Sequence, residues 1–498
     1  MKRIVLGIVT GLVLGLVLAA SPARADLTPE DLWQTMRDGY LQSGMDAQVE
    51  GTTRTPDALV INGATLSWAA ASWGGQVEIP LMRLRDLGDG RVELTLADHV
   101  DAAFWSLRGR VKGATSQVRL VQSGLRVTAS GAPGDLTLDF VAPEMTAALS
   151  APKLIGRKVP ARATIRLAGG AGQSRVTTSG LTIKDTTATF DSATFDIATP
   201  GGAKRDFKAK GTLNGVTLTA GIQTPAGSPA TVEAMLKAGF RAEYRLQFAS
   251  GAITADLFGG KDTTTVQAGL AKGEIASRVA PDGSRVLLAS GPSRAVIQVP
   301  SLPVPAEIGL DGLRLAFSGP MLPAPRATPF ELGTTLDKMT FSEGLWAMAD
   351  PSQTLPHDPM SLHLDLTGTL RLIGRAPGGG RVTAARPPVE VDTASLNALT
   401  LSAIGVDLAG SGTARFLNDG PEPRPVGTAD VEITGANALL DRLVAMQLMS
   451  QEQATGLRLG LALFTVPKGA DGVTSHIEAD QGGDVRVNGQ VLYRFPNP

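Results

Sequence analysis

The chain of 498 residues contains no cysteine. Disulfide bonds, thiol catalysis and cysteine-ligated metal or haem sites are therefore excluded. Aromatic residues make up 4% of the chain, so its apolar surfaces must be built from leucine, valine, isoleucine and alanine. An excess of charge of one sign is also lacking, since 46 lysine and arginine residues stand against 47 aspartate and glutamate residues. The basic footprint of a nucleic-acid-binding protein is therefore absent.

Sequence patterns typical of catalysis or metal binding are missing as well. No serine lies in a G-x-S-x-G motif, and the acidic residues fall at exterior strand positions, so no carboxylate pair stands out. The polar residues of Asp350-Pro351 and Pro356-His357-Asp358 could form a site, but a proline-ordered turn is the preferred interpretation. We predict no enzyme, no cofactor and no metal. The histidines are far apart, without H-x-x-x-H or H-E-x-x-H spacing: His99, His357, His363 and His476.

The chain is rich instead in alternation of apolar and polar residues. From about Val60 to Tyr493, apolar residues recur at every second position, and Gly, Pro, Asp or Asn bounds each run. This period is typical of strands with one buried and one solvated face, and the short turns favour antiparallel hairpins. We predict a mainly β fold, in which a long curved antiparallel sheet forms a groove or an open sandwich. An N-terminal helix and a C-terminal amphipathic helix pair complete the prediction.

The clearest alternation lies in Ser361–Ile373, where the leucines point to one side and polar residues to the other. A sheet with an aliphatic face must cover it with another layer, and the predicted helices are too few to do so. The sheet therefore either folds onto itself as a closed core or leaves this face open to acyl chains. The candidate groove wall consists of Leu362, Leu364, Leu366, Leu370 and Leu372.

Helical signals occur at both ends of the chain. Thr28 is a good cap and Pro29 suits the first helical position, which predicts a helix that ends between Gly39 and Gly44. Near the C-terminus, apolar residues at helical spacing predict a helix over Asn437–Met449. Ser450 and Gln453 form a capping-box pattern for a second helix. Leu457–Phe464 fits either a helix or a strand, and a helix is the preferred interpretation, so the pair should cover about residues 437–464.

The first 25 residues have the pattern of an export signal. Lys2 and Arg3 precede the apolar run Ile4–Ala20, and Ala23 and Ala25 are the small residues of an A-x-A cleavage site. We predict cleavage after Ala25, a periplasmic location and no transmembrane span in the mature chain. The alternative is that the apolar run is kept as a membrane anchor, because its length approaches that of a spanning segment.

Proline and glycine positions divide the remaining chain. Seven prolines predict a connector at residues 297–329, between a sheet portion at 26–296 and another at 330–498 that includes the helix pair. The alternation changes phase at Asn214-Gly215, where Asn-Gly favours a hairpin, and again near Ala403, where a bulge or tight turn would explain it. A single strand is predicted to close the chain over Val485–Tyr493.

Two groups of residues resemble domain-of-unknown-function family 2125, which comprises exported proteins of alphaproteobacteria with no assigned activity. The first group is Glu343-Gly344-Leu345-Trp346, Asp350-Pro351, Leu355-Pro356, Pro359 and Leu362–Gly368. The second is Leu396–Gly412, Gly427, Asp430, Ile433-Thr434-Gly435, Asn437–Met449 and Val487-Asn488-Gly489-Gln490. The order of sheet, helix pair and closing strand is also similar, more loosely, to the AsmA-like envelope proteins.

The AsmA-like resemblance implies a long β-groove that shields lipid chains and serves outer-membrane lipid traffic or homeostasis. AsmA-like proteins usually keep an N-terminal membrane anchor, whereas this chain is predicted to lose its apolar segment. We expect an exported envelope protein that binds lipid or acyl chains in an apolar β-groove. The alternative is a non-enzymatic structural or protein-interaction scaffold of the periplasm. Expected partners are phospholipid or another acyl lipid, or envelope proteins, and no nucleic acid.

Overall fold

A computed structural model describes residues 26–69, 73–108, 111–151, 161–179, 181–199, 207–227, 232–259, 262–373, 389–419 and 422–495. The predicted signal peptide and its cleavage site therefore lie outside the described residues. The chain divides into an N-terminal unit, residues 1–267, and a C-terminal unit, residues 268–498. The prediction of a mainly β protein with long antiparallel strands is confirmed, and each unit is described below by itself.

The strands of the N-terminal unit include several of 17 to 19 residues, longer than most globular strands. They pair antiparallel with their neighbours. The strands are β1 (Asp46–Gln48), β2 (Gly51–Arg54), β3 (Ala58–Ala69), β4 (Trp73–Asp86), β5 (Val92–Leu96), β6 (His99–Arg108), β7 (Val111–Ser123), β8 (Arg126–Ala132), β9 (Asp135–Ala151), β10 (Ala161–Thr178), β11 (Leu181–Thr199), β12 (Phe207–Pro225), β13 (Arg241–Phe248), β14 (Ser250–Gly259) and β15 (Asp262–Leu270), which contains the unit boundary.

The C-terminal unit continues the same antiparallel pattern with hairpin connections. Its strands are β16 (Gly273–Ala280), β17 (Gly283–Ser290), β18 (Ser293–Gln298), β19 (Ala306–Leu310), β20 (Gly312–Gly319), β21 (Thr328–Phe341), β22 (Met360–Leu372), β23 (Val389–Ala403), β24 (Val406–Leu417), β25 (Arg424–Thr434), β26 (Val466–Lys468), β27 (Gly472–Ala479), β28 (Asp484–Val487) and β29 (Gln490–Arg494).

The predicted terminal helices are confirmed. The helices are α1 (Pro29–Gln42), α2 (Val232–Lys237), α3 (Glu343–Ala349), α4 (Ala436–Ala445) and α5 (Gln451–Phe464). Thr28 and Asp31 form a capping box at the start of α1, and Ser450 and Gln453 form another at the start of α5. Each cap satisfies backbone N–H groups that the first helical turn leaves without a partner. These local signals are what made both helices predictable.

A line of glycine and proline residues with one aspartate, which we call the crease, crosses the N-terminal sheet. Gly63 of β3 lies opposite Pro80 of β4, because their neighbours Asn62 and Leu81 are paired. The corresponding places on β9, β10, β11 and β12, between paired residues on either side, are occupied in that order by Pro143, Gly169, Asp191 and Gly215. The three glycines have φ between 58° and 64°, a left-handed conformation that glycine adopts without steric cost. Proline in turn cannot donate a ladder hydrogen bond.

The crease reverses which residues of each strand face the core. On β11 the buried positions are even-numbered from Thr182 to Phe190, whereas beyond Asp191 the buried residue is Ala193. On β12 the order is Ala209 before Gly215 and Val216 after it. The phase change seen in the sequence at Asn214-Gly215 is this reversal.

The prediction of a hairpin at Asn214-Gly215 was therefore wrong. β12 runs through these residues and keeps one register with β11. Its other neighbour changes here, from β14 before the crease to β13 after it. The amide of Ala249, between β13 and β14, donates to the Asn214 carbonyl at 2.9 Å. The interruption therefore lies between β13 and β14, while β12 itself is continuous.

The core of the N-terminal unit includes α1, which packs against β1, β3 and β4, and the buried face of the sheet. Leu32 and Met36 of α1 are 1% and 0% exposed. On the sheet, Leu84 of β4 and Leu136 of β9 are both 0% exposed. Full burial of such side chains contributes about 1.5–3 kcal/mol each to the stability of the unit.

The segment predicted as a proline-rich connector, residues 297–329, instead carries β19 and β20. β19 pairs with β18 and β21, and β20 pairs with β17 and β21. The prolines fall before β19 and between β20 and β21, or at the start of β21 in the case of Pro329. Proline clusters mark the turns here, where the missing N–H donor costs nothing.

Two further turns bear on the sequence predictions. The turn predicted near Ala403 is confirmed: Ile404 and Gly405 have φ of 49° and 81° and connect β23 to β24. The single closing strand was wrong, because Asn488 and Gly489, with φ of 49° and 82°, fold it into the hairpin of β28 and β29. Positive φ at both central residues is the geometry that favours Asn-Gly.

Candidate functional site

The predicted groove-wall leucines lie on β22, in the middle of the C-terminal sheet. Residues directly opposite each other on neighbouring strands point to the same face. On the β23 side each of these leucines faces an apolar residue, whereas on the β21 side Leu364 faces Thr334 and Leu370 faces Thr328. Leu362 lies opposite Leu336 and Leu401, Leu364 lies opposite Leu399, and Leu366 lies opposite Leu332 and Leu396.

The aliphatic face extends across most strands of the unit. One cross-strand row alone runs over seven strands without a polar side chain. Because the β22 row continues in register in both directions, the face is much wider than the five residues predicted from sequence. The row consists of Leu313, Leu336, Leu362, Leu401, Leu408, Ile433 and Val473.

The exposure of this face distinguishes it from a closed core. Phe317 is 47% exposed, Leu315 is 39% exposed, and Leu332 and Leu401 are each 38% exposed. Large side chains in a covered sheet are far less exposed, as the fully buried Leu136 shows in the other unit. Within the described part of the C-terminal unit, the aliphatic face therefore lacks a covering layer along these strands.

The five predicted wall residues share this face but differ in burial. Leu362, Leu364, Leu366 and Leu370 are half-buried, and Leu372 is buried with 8% exposed. The opposite side of β22 is polar, as the alternation predicts, and its exposed His363 contacts Thr335 Oγ1 through Nδ1 at 3.2 Å. Two register shifts between β22 and β23 keep the leucines of both strands on one side.

A second feature lies in the proline-rich loop after α3. Asp350 is 0% exposed, and its Oδ2 accepts a hydrogen bond from the Leu355 amide at 2.6 Å. The His357 ring stacks on Trp346 with centroids 4.1 Å apart, and its Nε2 is 3.5 Å from Asp350 Oδ2. The buried carboxylate thus fixes the loop, as expected of a proline-ordered turn.

The environment of Asp350 favours its ionised form. Burial by itself would raise the pKa of the Asp350 carboxyl, but hydrogen bonds from the amides of Leu355 and Thr354 and the nearby His357 ring lower it by more. The net result is a pKa below the usual value of aspartate. The charge is therefore retained as part of the loop structure.

We expect Asp350→Ala to lower the melting temperature by several degrees, because it leaves the Leu355 amide without its acceptor. Asp350→Asn should cost less, since the amide oxygen can still accept that hydrogen bond. The carboxylate stabilises the fold above the usual aspartate pKa, and this contribution is lost as the pH falls below about 4. Thermal unfolding of both variants from neutral to acidic pH tests this. Equal melting temperatures for wild type and Asp350→Ala at neutral pH would contradict it.

The N-terminal unit contains a buried amine. Lys184 lies on the core face of β11, 7% exposed, opposite Val176 of β10 and Ile222 of β12. The next residue on that face, Thr186, bonds Ser174 through their hydroxyl oxygens at 2.8 Å. Burial lowers the pKa of the Lys184 amine to about 7. Sequence reasoning missed this site, because a lysine in an alternating strand is normally placed on the solvated face.

The same unit has a concavity of about 620 Å³, lined by both polar and apolar residues. Arg119 and Asp101 form a bidentate ion pair within it, with two contacts of 2.7 Å. This pairing lowers the pKa of the Asp101 carboxyl. The pair satisfies both charges, so the concavity offers no free catalytic group at this position.

The described part of the chain contains neither a metal-ligand cluster nor a membrane-spanning helix. Over those ranges, no group of three or more histidine, cysteine, aspartate or glutamate residues could hold a metal ion. None of the described helices is both long enough and apolar enough to cross a membrane. No protein-family model matches the chain, and no curated protein matches it either. Membership of family 2125, and the looser AsmA-like relationship, therefore stay predictions.

Proposed function

We propose that this protein is a non-enzymatic envelope protein that binds lipid acyl chains along the aliphatic face of its C-terminal sheet. The observation that supports this is the exposure of large apolar side chains across neighbouring strands, from Leu315 and Phe317 to Leu401. Soluble monomers rarely leave a contiguous apolar surface of this kind open to water. A hydrocarbon ligand would cover it without needing specific polar partners.

The energy available from such a ligand is substantial. Burying one methylene group contributes roughly 0.8 kcal/mol, so an acyl chain that buries ten of them gains about 8 kcal/mol before ordering costs. The aliphatic face suits such a ligand, because leucine side chains of adjacent strands lie side by side and the threonines among them, Thr328 and Thr334, carry no charge. Such a wall selects for chain length and flexibility rather than for a particular headgroup.

The export signal predicted at residues 1–25 supports a periplasmic location within this proposal. A protein in that compartment has access to phospholipid, and an aliphatic surface is suited to lipid homeostasis or transfer. The absence of cysteine also fits an exported chain that depends on burial, not on disulfides, for stability.

The test is native mass spectrometry with lipid extraction on the chain from Asp26 onward, produced in bacteria and purified without detergent. We expect phospholipid to co-purify with the wild type. The double variant Leu364→Asp/Leu366→Asp should lose at least nine-tenths of it, because two charges on the aliphatic face oppose acyl-chain burial. Circular dichroism and protease resistance establish that the variant is folded.

The matched control places the same two charges on the other side of the same strand. His363→Asp/Thr367→Asp adds two carboxylates to the polar face of β22 and should keep its lipid. Wild-type protein that carries no lipid and takes up none when lipid is added would refute the proposal. The aliphatic face would then serve a protein partner, as in a periplasmic scaffold.

A further inference from the structure

The helix pair α4–α5 and its connecting loop expose an unusual amount of apolar surface. Five large side chains between residues 448 and 464 are at least two-fifths exposed. No charged residue occurs between Arg442 and Glu452, and Arg458 is the one charge between Glu452 and Lys468. The five are Leu448 at 66%, Leu457 at 49%, Leu459 at 63%, Leu463 at 64% and Phe464 at 42%.

These side chains do not form a single stripe. At 3.6 residues per turn, Leu457 and Phe464 lie on one side of α5, whereas Leu459 and Leu463 lie on nearly the opposite side. A partner with one flat surface or groove covers one side of a helix. A helix that is apolar on opposite sides needs an apolar medium around it.

The pair is held firmly to the sheet at its base. The Phe464 carbonyl accepts hydrogen bonds from the Ser475 hydroxyl and, at 2.9 Å, from Asn488 Nδ2. Between the helices, Ala454 is 0% exposed, and Arg458 bonds Asp441 at 2.5 Å. The exposed leucines therefore sit on an ordered projection and are not the surface of a loose tail.

The exposed area argues against a second protein as occupant. A whole aromatic side chain offers about 150–250 Å², so five side chains that are about half exposed offer on the order of 500 Å². A stable protein interface buries about 800 Å² on each partner. A lipid surface has no such requirement, because insertion needs apolar side chains but no shape-matched partner.

We infer that α5 and the α4–α5 loop insert into a lipid surface. The position supports this: the pair connects β25 to β26 and β27, beside Ile433 and Val473 at one end of the aliphatic row. This inference deepens the proposed function. It rests on that function for one point, namely that lipid passes from the bilayer to the aliphatic face. A bilayer held at this end would place acyl chains next to the aliphatic face.

The absence of cysteine allows a direct test with single-cysteine labels. Leu457→Cys and Leu459→Cys, on opposite sides of α5, are labelled with the environment-sensitive fluorophore NBD in the chain from Asp26 onward. Vesicles of equal parts phosphatidylcholine and phosphatidylglycerol are then added. We expect both labels to shift to the blue and to be quenched by lipids with brominated acyl chains. Ser411→Cys, on the exposed polar face of β24, should show neither change.

Flotation with the same vesicles gives a second measurement. Leu459→Asp/Leu463→Asp should reduce the vesicle-bound fraction at least tenfold, while Gln451→Asp/Thr455→Asp, also exposed on α5, should leave it nearly unchanged. Labels that fail to respond to vesicles would overturn the inference. So would a shift of one label alone that grows with protein concentration without vesicles, because that indicates self-association.

The two proposals fail independently. Leu364→Asp/Leu366→Asp should lose bound lipid but still float with vesicles. Leu459→Asp/Leu463→Asp should lose flotation but still take up lipid that is supplied in solution. If wild type floats with vesicles but binds no lipid in solution, insertion of α5 is supported and lipid binding at the aliphatic face is refuted. If it binds lipid but does not float, lipid binding at the aliphatic face is supported and insertion of α5 is refuted.

Discussion

Replacement of Lys184 by methionine is expected to raise the free energy of unfolding by about 4 kcal/mol at pH 7. Burial lowers the pKa of this amine from 10.5 to about 7, and lowering a pKa by one pH unit corresponds to about 1.4 kcal/mol of lost stability in the charged form. Methionine has a similar length, no charge and a flexible shape that fills such a position. Urea unfolding of wild type and variant measures the difference.

The stability that Lys184→Met gains over wild type should fall as the pH rises above 7. Between pH 7 and about 10.5, the unfolded chain holds a proton on Lys184 that the folded chain has released, so wild-type stability rises with pH in this window. Below pH 7 both states are protonated and the penalty is complete. The advantage of Lys184→Met should therefore be largest at and below pH 7 and disappear near pH 10.5.

A matched substitution controls for the change of residue type. Lys210 is exposed on the neighbouring strand β12, and Lys210→Met should leave stability within about 0.5 kcal/mol of wild type. If Lys184→Met instead destabilises the protein, the amine is stabilised in the folded state by interactions that outweigh its desolvation. The buried lysine would then be part of the core's support.

Gly435→Ala is expected to destabilise the C-terminal unit by about 3 kcal/mol or more. Gly435 is the N-cap residue before α4 and has φ of 82°, and an added Cβ would overlap the Gly405 carbonyl oxygen. The left-handed conformation costs alanine roughly 1–2 kcal/mol, and the contact with backbone adds to it. Because Gly405 belongs to the turn between β23 and β24, the clash cannot be relieved by a side-chain rotation. Chemical denaturation measures the loss.

A glycine-to-alanine substitution inside α5 should instead raise the free energy of unfolding. Gly456 lies inside α5, and no atom lies within 4 Å of the position of an added Cβ. Gly456→Ala should stabilise by about 0.5–1 kcal/mol, since alanine is the better helix former. Similar effects for Gly435→Ala and Gly456→Ala would show that Gly435 is kept for flexibility and not for its backbone geometry.

Sequence alone predicted the fold class and the helices because their signals are local. Alternation indicates strands, and capping boxes at Thr28 and Ser450 mark where helices begin. Turn chemistry was less reliable, because the same dipeptide has two roles here. Asn214-Gly215 lies within β12, where the partner strand changes, while Asn488-Gly489 forms a hairpin inside the predicted single strand. Neighbouring strands decide between these outcomes, and they are not visible in a local window.

The candidate face was predicted only in part for the same reason. The leucines of β22 share one strand, so their common orientation follows from period two. Their neighbours on β21 and β23 depend on register, and the two register shifts between β22 and β23 cannot be counted from sequence. The burial of Lys184 was equally hidden, because it follows from a reversal of phase at Asp191, which the opposing glycines on other strands impose.

The crease also bears on how such long strands can form without error. A slip of one residue would turn every side chain of a strand to the wrong face, and the risk grows with strand length. β9 and β12 each change partner at the crease, so each half is aligned by its own nearby strands: β8 and β7 for β9, and β13 and β14 for β12. Short loops close faster than long ones. The N-terminal sheet can therefore set its register separately in the two shorter sets of strand pairs on either side of the crease. A register error in one set would then be corrected before the whole strand has paired.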